Sequence, residues 1–313
     1  MTLFGNKKIQ LFIFVVLIFL TSNINALENK ILIKVNNEII TSLDVNNEIN
    51  YLIALNKNIQ NLENKKIYTI AKNSLIREKI KKIEILNYID EIKIDKKFFN
   101  QILKLYYSKM GINNKDEFLK YIENYNIDMN TVEQKMSIEA LWNELIVSKF
   151  SDKVKINKYK LKERASIKDN KQIKIYLLSE ILFNISNNAE LKIKSEEIKN
   201  SILNVGFENT ALIYSISDNS KIGGKLDWIK ENSLNNKVRN ELNNMNIGDL
   251  TNPIITPGGF LILKIEDIEL KKGKFNLEIE LENLIKIETN TQLNQYSNIY
   301  FNKISKNFKI DEF

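Results

Sequence analysis

Residues 247–265 read Ile247-Gly248-Asp249-Leu250-Thr251-Asn252-Pro253-Ile254-Ile255-Thr256-Pro257-Gly258-Gly259-Phe260-Leu261-Ile262-Leu263-Lys264-Ile265. Gly248-Asp249 stops a helix expected over Leu234 to Asn244, and Pro257-Gly258-Gly259 makes a turn into a strand from Phe260 to Ile265. Working backwards, Gly223-Gly224-Lys225-Leu226-Asp227-Trp228 is a glycine turn before a short apolar stretch, and Ala211 to Ile216 reads as a second extended piece. Ser195, Glu197 and Ile198 begin a helix, and before them Ile173, Ile175 and Leu177 alternate into Ile181-Leu182-Phe183, the pattern of a strand. The order strand, helix or helices, strand, helix, strand predicts a small α+β domain over residues 171–269.

Single glycine turns are weak signals, whereas their joint order is specific. Ser179-Glu180-Ile181-Leu182, Tyr214-Ser215, the Gly-Gly-x-Leu-x-Trp stretch and the quoted segment together resemble the parvulin family of peptidyl-prolyl isomerases. Val35-Asn36-Asn37-Glu38-Ile39-Ile40-Thr41-Ser42-Leu43-Asp44-Val45, and Met110-Gly111-Ile112 followed by Asp116-Glu117-Phe118, resemble the SurA-type periplasmic chaperones. The tail, Asn290 to Ile310, is similar to the helix and short strand that close the core of such chaperones. The best-known members carry two parvulin domains, and this chain has room for one.

The resemblance implies an isomerase site, and there the sequence departs from the family. Parvulins turn the Xaa-Pro bond without a covalent step, and the uncatalysed barrier is roughly 18–20 kcal/mol. The family pattern has a histidine where this chain has Glu180 and another where it has Leu261. Its Cys or Asp falls on Ile216, Ser217 or Asp218. The positions of the proline-ring pocket correspond to Leu234, Val238 and Phe260, for which helix packing against the sheet and ligand contact are both open. An apolar cleft without its polar network is expected to bind extended peptides better than it isomerises them. An active isomerase is the alternative.

Composition agrees in what it excludes. The chain has 313 residues, no cysteine and no histidine, so disulfides, thiolate nucleophiles, imidazole proton shuttles and Ser-His-Asp triads are all impossible. Asp218 and Asp227 are the only acids near a glycine turn, and turn acids are usually caps, which leaves a carboxylate hydrolase without a defined pair. No Gly-x-x-x-x-Gly-Lys loop occurs, so ATP is not implied, and neither cofactor nor metal is expected. Basic residues number 46 against 39 acidic ones, but the two are mixed along the chain, which argues against a nucleic-acid partner.

The N-terminus carries an address. Lys7 and Lys8 precede an apolar run from Leu11 to Leu20 and a polar stretch ending in Ala26, the layout of a secretory signal peptide over residues 1–26. A bilayer span needs roughly 20 apolar residues, so cleavage after Ala26 is expected, with a retained membrane anchor as the alternative. Removal of two lysines takes the net charge from +7 to +5.

The region 27–168 is expected to be mainly helical. A short strand at Ile31, Ile33 and Val35 leads to a capping box of Thr41 and Asp44, which opens a helix through Leu55. Ile67, Ile70, Leu75, Ile76, Ile80, Ile83 and Ile85 mark an amphipathic helix reaching Ile94, its Lys and Glu face solvated. Further helices are expected over Lys97 to Lys109, Lys115 to Asn124 and Thr131 to Phe150, the last with Met136, Ala140, Trp142 and Leu145 as core or as an exposed stripe. The whole is an α+β protein: a helical core completed by a C-terminal helix and strand within residues 274–313, plus one parvulin-like domain. The resemblance implies a periplasmic chaperone that binds unfolded outer-membrane proteins.

Overall fold

The computed structural model describes residues 29–166, 172–185, 187, 189–272 and 276–313. The expected signal peptide lies outside these residues. Among the described residues, no helix is long and apolar enough to cross a membrane.

The fold is α+β. Strands β1 (Ile31–Val35) and β2 (Glu38–Thr41) form an antiparallel pair, and β7 (Ile310–Glu312) joins β1 on its other side. The turn between β1 and β2 places Asn36 at φ 51°, a conformation Asn tolerates better than most residues. Thr41 then caps α1 (Ser42–Leu55): its hydroxyl accepts from the Asp44 amide while the Asp44 carboxylate accepts from the Thr41 amide, so two orphan donors are satisfied at once. Helices α2 (Asn64–Leu86), α3 (Lys96–Lys109), α4 (Lys115–Glu123), α5 (Met129–Phe150) and α6 (Lys158–Ala165) follow. Asp95, Asn114, Asp128 and Asn157 cap α3 to α6 with side-chain oxygens.

The second sheet runs β4 (Lys225–Lys230), β3 (Gln172–Phe183), β6 (Gly259–Lys272), β5 (Ile254–Thr256), antiparallel throughout. Helices α7 (Glu190–Val205) and α8 (Phe207–Tyr214) cover one face, and α9 (Asn236–Leu242) covers half of the other. The long α10 (Leu277–Ser305) leads back to β7. Its residues Phe301 and Ile304 enter the N-terminal core beside Ile33, Leu52, Ile80 and Trp142. Trp142 is wholly buried, donates to Ser297 Oγ at 2.8 Å and stacks on Tyr300, so Trp142 is core with Leu145 packed against it, whereas Met136 and Ala140 of the same stripe line a cavity.

Three expectations need correction. The polar face of α2 is not simply solvated: Lys81 is 0% exposed and Glu84 is buried, each against partners from distant segments, and the helix stops at Leu86 rather than Ile94. Residues 211–214 are helical, not extended. A four-residue apolar run has no period of its own, and Gly206 at φ 83° lets the chain restart as α8, whose Leu212 packs into the N-terminal core. Helix α6, with only Leu161 and Ala165 buried, gave no apolar period to find.

One polar cluster holds the N-terminal helices together. Lys135 on α5 lies 2.6 Å from Glu48 on α1 and 2.5 Å from Glu78 on α2. Burial alone raises the Glu48 carboxyl, but Lys135 and a hydrogen bond from Ser74 reverse that and hold it below the ordinary carboxylate range. Burial alone lowers Lys135, and Glu48 with Glu78 reverses that and raises it. A lowered acid contributes stability that is present above its unfolded pKa and lost as pH falls through the folded one; a raised lysine contributes stability present below its unfolded pKa and lost as pH rises through the folded one. The urea midpoint is therefore expected to be level between about pH 5 and pH 10 and to fall on both sides. A midpoint sloping steadily between pH 6 and pH 8 contradicts this, because a chain without His or Cys has no side chain that ordinarily titrates there.

Candidate functional site

The site begins at the half of a sheet face that α9 leaves uncovered. On that face the register aligns Leu178 with Ile265, Glu180 with Leu263 and Leu182 with Leu261. Leu234, just before α9, and Val238 and Leu242 on it pack over Leu178, Leu263 and Ile265. The remaining end, with Glu180, Leu182 and Leu261, opens into a cavity of about 1150 Å³ with Leu226 and Ile229 of β4. Its opposite wall comes from α6 and α10, where Glu288, Thr291, Asn294, Gln295 and Asn298 recur at the three- and four-residue spacing of one helix face.

Two glycines permit this geometry. Gly224 sits at φ 76° with its α-carbon so close to β3 that a Cβ there lies 2.2 Å from the Glu180 carbonyl oxygen. The contact is reciprocal, since the Glu180 amide donates to the Gly224 carbonyl at 2.8 Å. Gly223 closes the preceding 3-10 turn in the left-handed region, where only glycine fits without strain. The Tyr214-Ser215 pair is fixed by β3: Ser215 Oγ accepts from the Leu182 amide at 3.0 Å, and the Ile216 amide donates to the Leu182 carbonyl at 2.7 Å.

These ties decide which side chain faces the cleft. Ser217 Oγ donates to Glu180 Oε1 at 2.5 Å, and Asn219 Nδ2 donates to the same oxygen at 3.0 Å. Glu180 is thus half-buried and already partnered. Asp218 points the other way, toward α2 and α5, where Lys81 Nζ donates to it at 3.3 Å and Arg77 lies 3.8 Å away. Desolvation raises its carboxyl, and Lys81, Arg77 and Lys221 outweigh that and hold it below the usual range.

Of the expected positions, Glu180, Ser217, Asp218 and Leu261 all line the cavity. Leu234 and Val238, at and on α9, are buried against the sheet and do not. Phe260 is one residue from Leu261, so strand alternation puts it on the opposite face, stacked on Phe183 at 5.8 Å. Asp227 pairs with Lys109 at 3.3 Å, and Asp218 with Lys81, so the two acids have separate partners. Sequence reading missed the carboxamide face of α10 and the cations of α2. The spacing of Thr291, Asn294, Gln295 and Asn298 was visible, but nothing local said what it faces.

Residues 181–267 match the family model described as Rotamase, the PPIC-type PPIASE domain. The chain is 44% identical over 70 residues to the chaperone SurA of Pseudomonas fluorescens, a stretch covering 22% of this chain and 16% of that one. To the chaperone SurA of Idiomarina loihiensis it is 29% identical over 123 residues, covering 36% of this chain and 28% of that one. The matched stretches thus span less than a third of these relatives' length. Among solved structures, one described with PEB4 and Cj1289 as two structurally related SurA-like chaperones of Campylobacter jejuni aligns over 91% of this chain and 99% of its own, at 14% identity and a TM-score of 0.38. Residues 181–267 thus form a PpiC-type parvulin domain.

Proposed function

We propose that the chain is a periplasmic chaperone that binds extended segments of unfolded outer-membrane proteins in transit, and that its parvulin domain binds peptide with little or no isomerase activity. The observation that carries this reading is the state of the cleft. Its apolar floor of Leu182, Leu226, Ile229 and Leu261 is open, while the one carboxylate on that floor, Glu180, is already bonded to Ser217 and Asn219. Asn235 and Asn236 at the start of α9 border it, and Asn294, Gln295 and Asn298 lie opposite; carboxamides both donate and accept, as a peptide backbone requires. Such a site holds an extended chain without favouring the twisted amide, and only preferential binding of the twisted state accelerates isomerisation.

In this reading residues 27–168 and 274–313 form the chaperone core, residues 171–269 the satellite domain, and residues 1–26 the export signal. Release follows from weak multivalent contacts and client folding, with no nucleotide. In a protease-coupled assay with an Xaa-Pro peptide, the protein is expected to leave the rate at its uncatalysed value. At equimolar amounts it is expected to delay aggregation of a urea-unfolded outer-membrane β-barrel. Failure to delay aggregation sinks the chaperone reading. Robust turnover favours the second reading, an active isomerase that uses the Glu180, Ser217 and Asn219 cluster.

A further inference from the structure

A second cavity, about 970 Å³, lies on the far side of the 215–222 segment. Its N-terminal wall carries Tyr51, Phe98, Tyr106, Met110, Tyr121 and Met136. Rings and thioethers of this kind pack against varied apolar side chains. Ser217, Asp218, Asn219 and Leu226 line both cavities, so the turn Asp218–Ile222 and its flank are a thin partition between them.

The turn Asp218–Ile222 has no buried residue of its own. On the parvulin side it is tied to β3, as described above. On the core side it is held by charge: Asp218 by Lys81 and Arg77, and Lys221 by Glu139 at 3.8 Å. Lys81 is wholly buried and donates to Glu139 Oε2 at 2.5 Å as well as to Asp218 at 3.3 Å. When the turn moves off, Lys81 keeps Glu139, and the half-exposed Asp218 returns to water. Separation therefore strands no buried charge, the event that makes breaking such pairs expensive.

We propose that this turn is an ionically latched gate between two halves of one channel, and that the channel's occupant is a single extended stretch of unfolded polypeptide. This rests on the chaperone reading for its ligand. Each cavity alone matches or exceeds the upper end of a small-molecule site, about 300–1,000 Å³. One offers carboxamides to a backbone, the other aromatic and thioether surface to side chains, and the shared residues make them continuous once the turn lifts. A chain threading both requires the open state, so its apparent affinity is reduced by the fraction of protein that is closed.

The absence of cysteine makes the test direct. Nitroxide labels at Ser220→Cys and Asn143→Cys, on opposite walls of the second cavity, report its width by pulsed electron resonance. The otherwise unaltered protein is expected to give mainly one short distance. Asp218→Asn keeps the Lys81–Glu139 pair and is expected to make a longer distance the majority. Saturating reduced, carboxymethylated α-lactalbumin, a permanently unfolded polypeptide, is expected to lengthen the distance without any substitution. The dissociation constant for that probe should fall about threefold to tenfold in Asp218→Asn. Unchanged distances in Asp218→Asn, or affinity equal to or weaker than that of the unaltered protein, overturn the gate. If the probe binds neither protein, the chaperone reading fails, and the gate stands or falls on the Asp218→Asn distances alone.

Discussion

Replacing Lys135 with methionine is expected to lower the unfolding free energy by about 3–5 kcal/mol, the cost of leaving a buried acid without its partner. Glu48 is 1% exposed, and Lys135 is the cation placed 2.6 Å from it. The same ammonium serves Glu78 and lies 5.0 Å from the centre of the Tyr51 ring, so one side chain joins α1, α2 and α5. Methionine has nearly the shape of the lysine stem, so the loss reads charge rather than cavity. Glu48→Gln combined with Lys135→Met removes the two most buried charges, leaves Glu78, the most exposed of the three, to be hydrated, and keeps the Ser74 contact at the Glu48 position. It is expected to recover most of the loss, because exchanging a whole buried pair is often nearly neutral. Urea unfolding of the three proteins checks this. A single-variant loss under about 1 kcal/mol, or a double variant no better than the single, means that Lys135 does not neutralise Glu48.

The cluster also shows where sequence reading reaches its limit. Caps and turns are local, and they were legible: Thr41 with Asp44, Asn114, Gly223-Gly224 and Pro257-Gly258-Gly259 each sit where their chemistry requires. Strand faces follow from alternation, and by it Phe260, a proline-ring pocket position in the family pattern, lies on the sheet face opposite the cleft-lining Leu261. The lysines were the larger difficulty. Lys81 and Lys135 occur among many lysines of similar helical setting, and only the arrival of Asp218, Glu139 and Glu48 from other segments distinguishes a buried cation from a solvated one. The cleft was legible on its parvulin side, where Glu180 and Leu261 replace the family's histidines. Its second wall was not, because the α10 residues that form it, Glu288 to Asn298, are more than a hundred residues from Glu180 in sequence.

Gly224→Ala is expected to cost about 3–5 kcal/mol, placing it among the rare severe substitutions. The left-handed conformation at φ 76° contributes only about 1–2 kcal/mol of that for a residue with a Cβ. The rest comes from space: the added carbon lies 2.2 Å from the Glu180 carbonyl oxygen and 3.2 Å from Ala211 Cβ, and the first of these is backbone, which cannot rotate away. To admit it, β3 and the turn must part, breaking the 2.8 Å bond from the Glu180 amide to the Gly224 carbonyl. Gly248 separates the two contributions. Its φ is 93°, but no atom lies within 4 Å of an added Cβ, so Gly248→Ala is expected to cost only about 1–2 kcal/mol. Thermal and urea unfolding of both variants make the comparison. Equal losses mean that β3 yields easily at Glu180, and then the Glu180, Ser217 and Asn219 cluster is not held by this turn. Because that cluster sits on the same β3 segment, Gly224→Ala should also weaken probe binding to the cleft, whereas Gly248→Ala, remote from the cavity lining, should leave it intact.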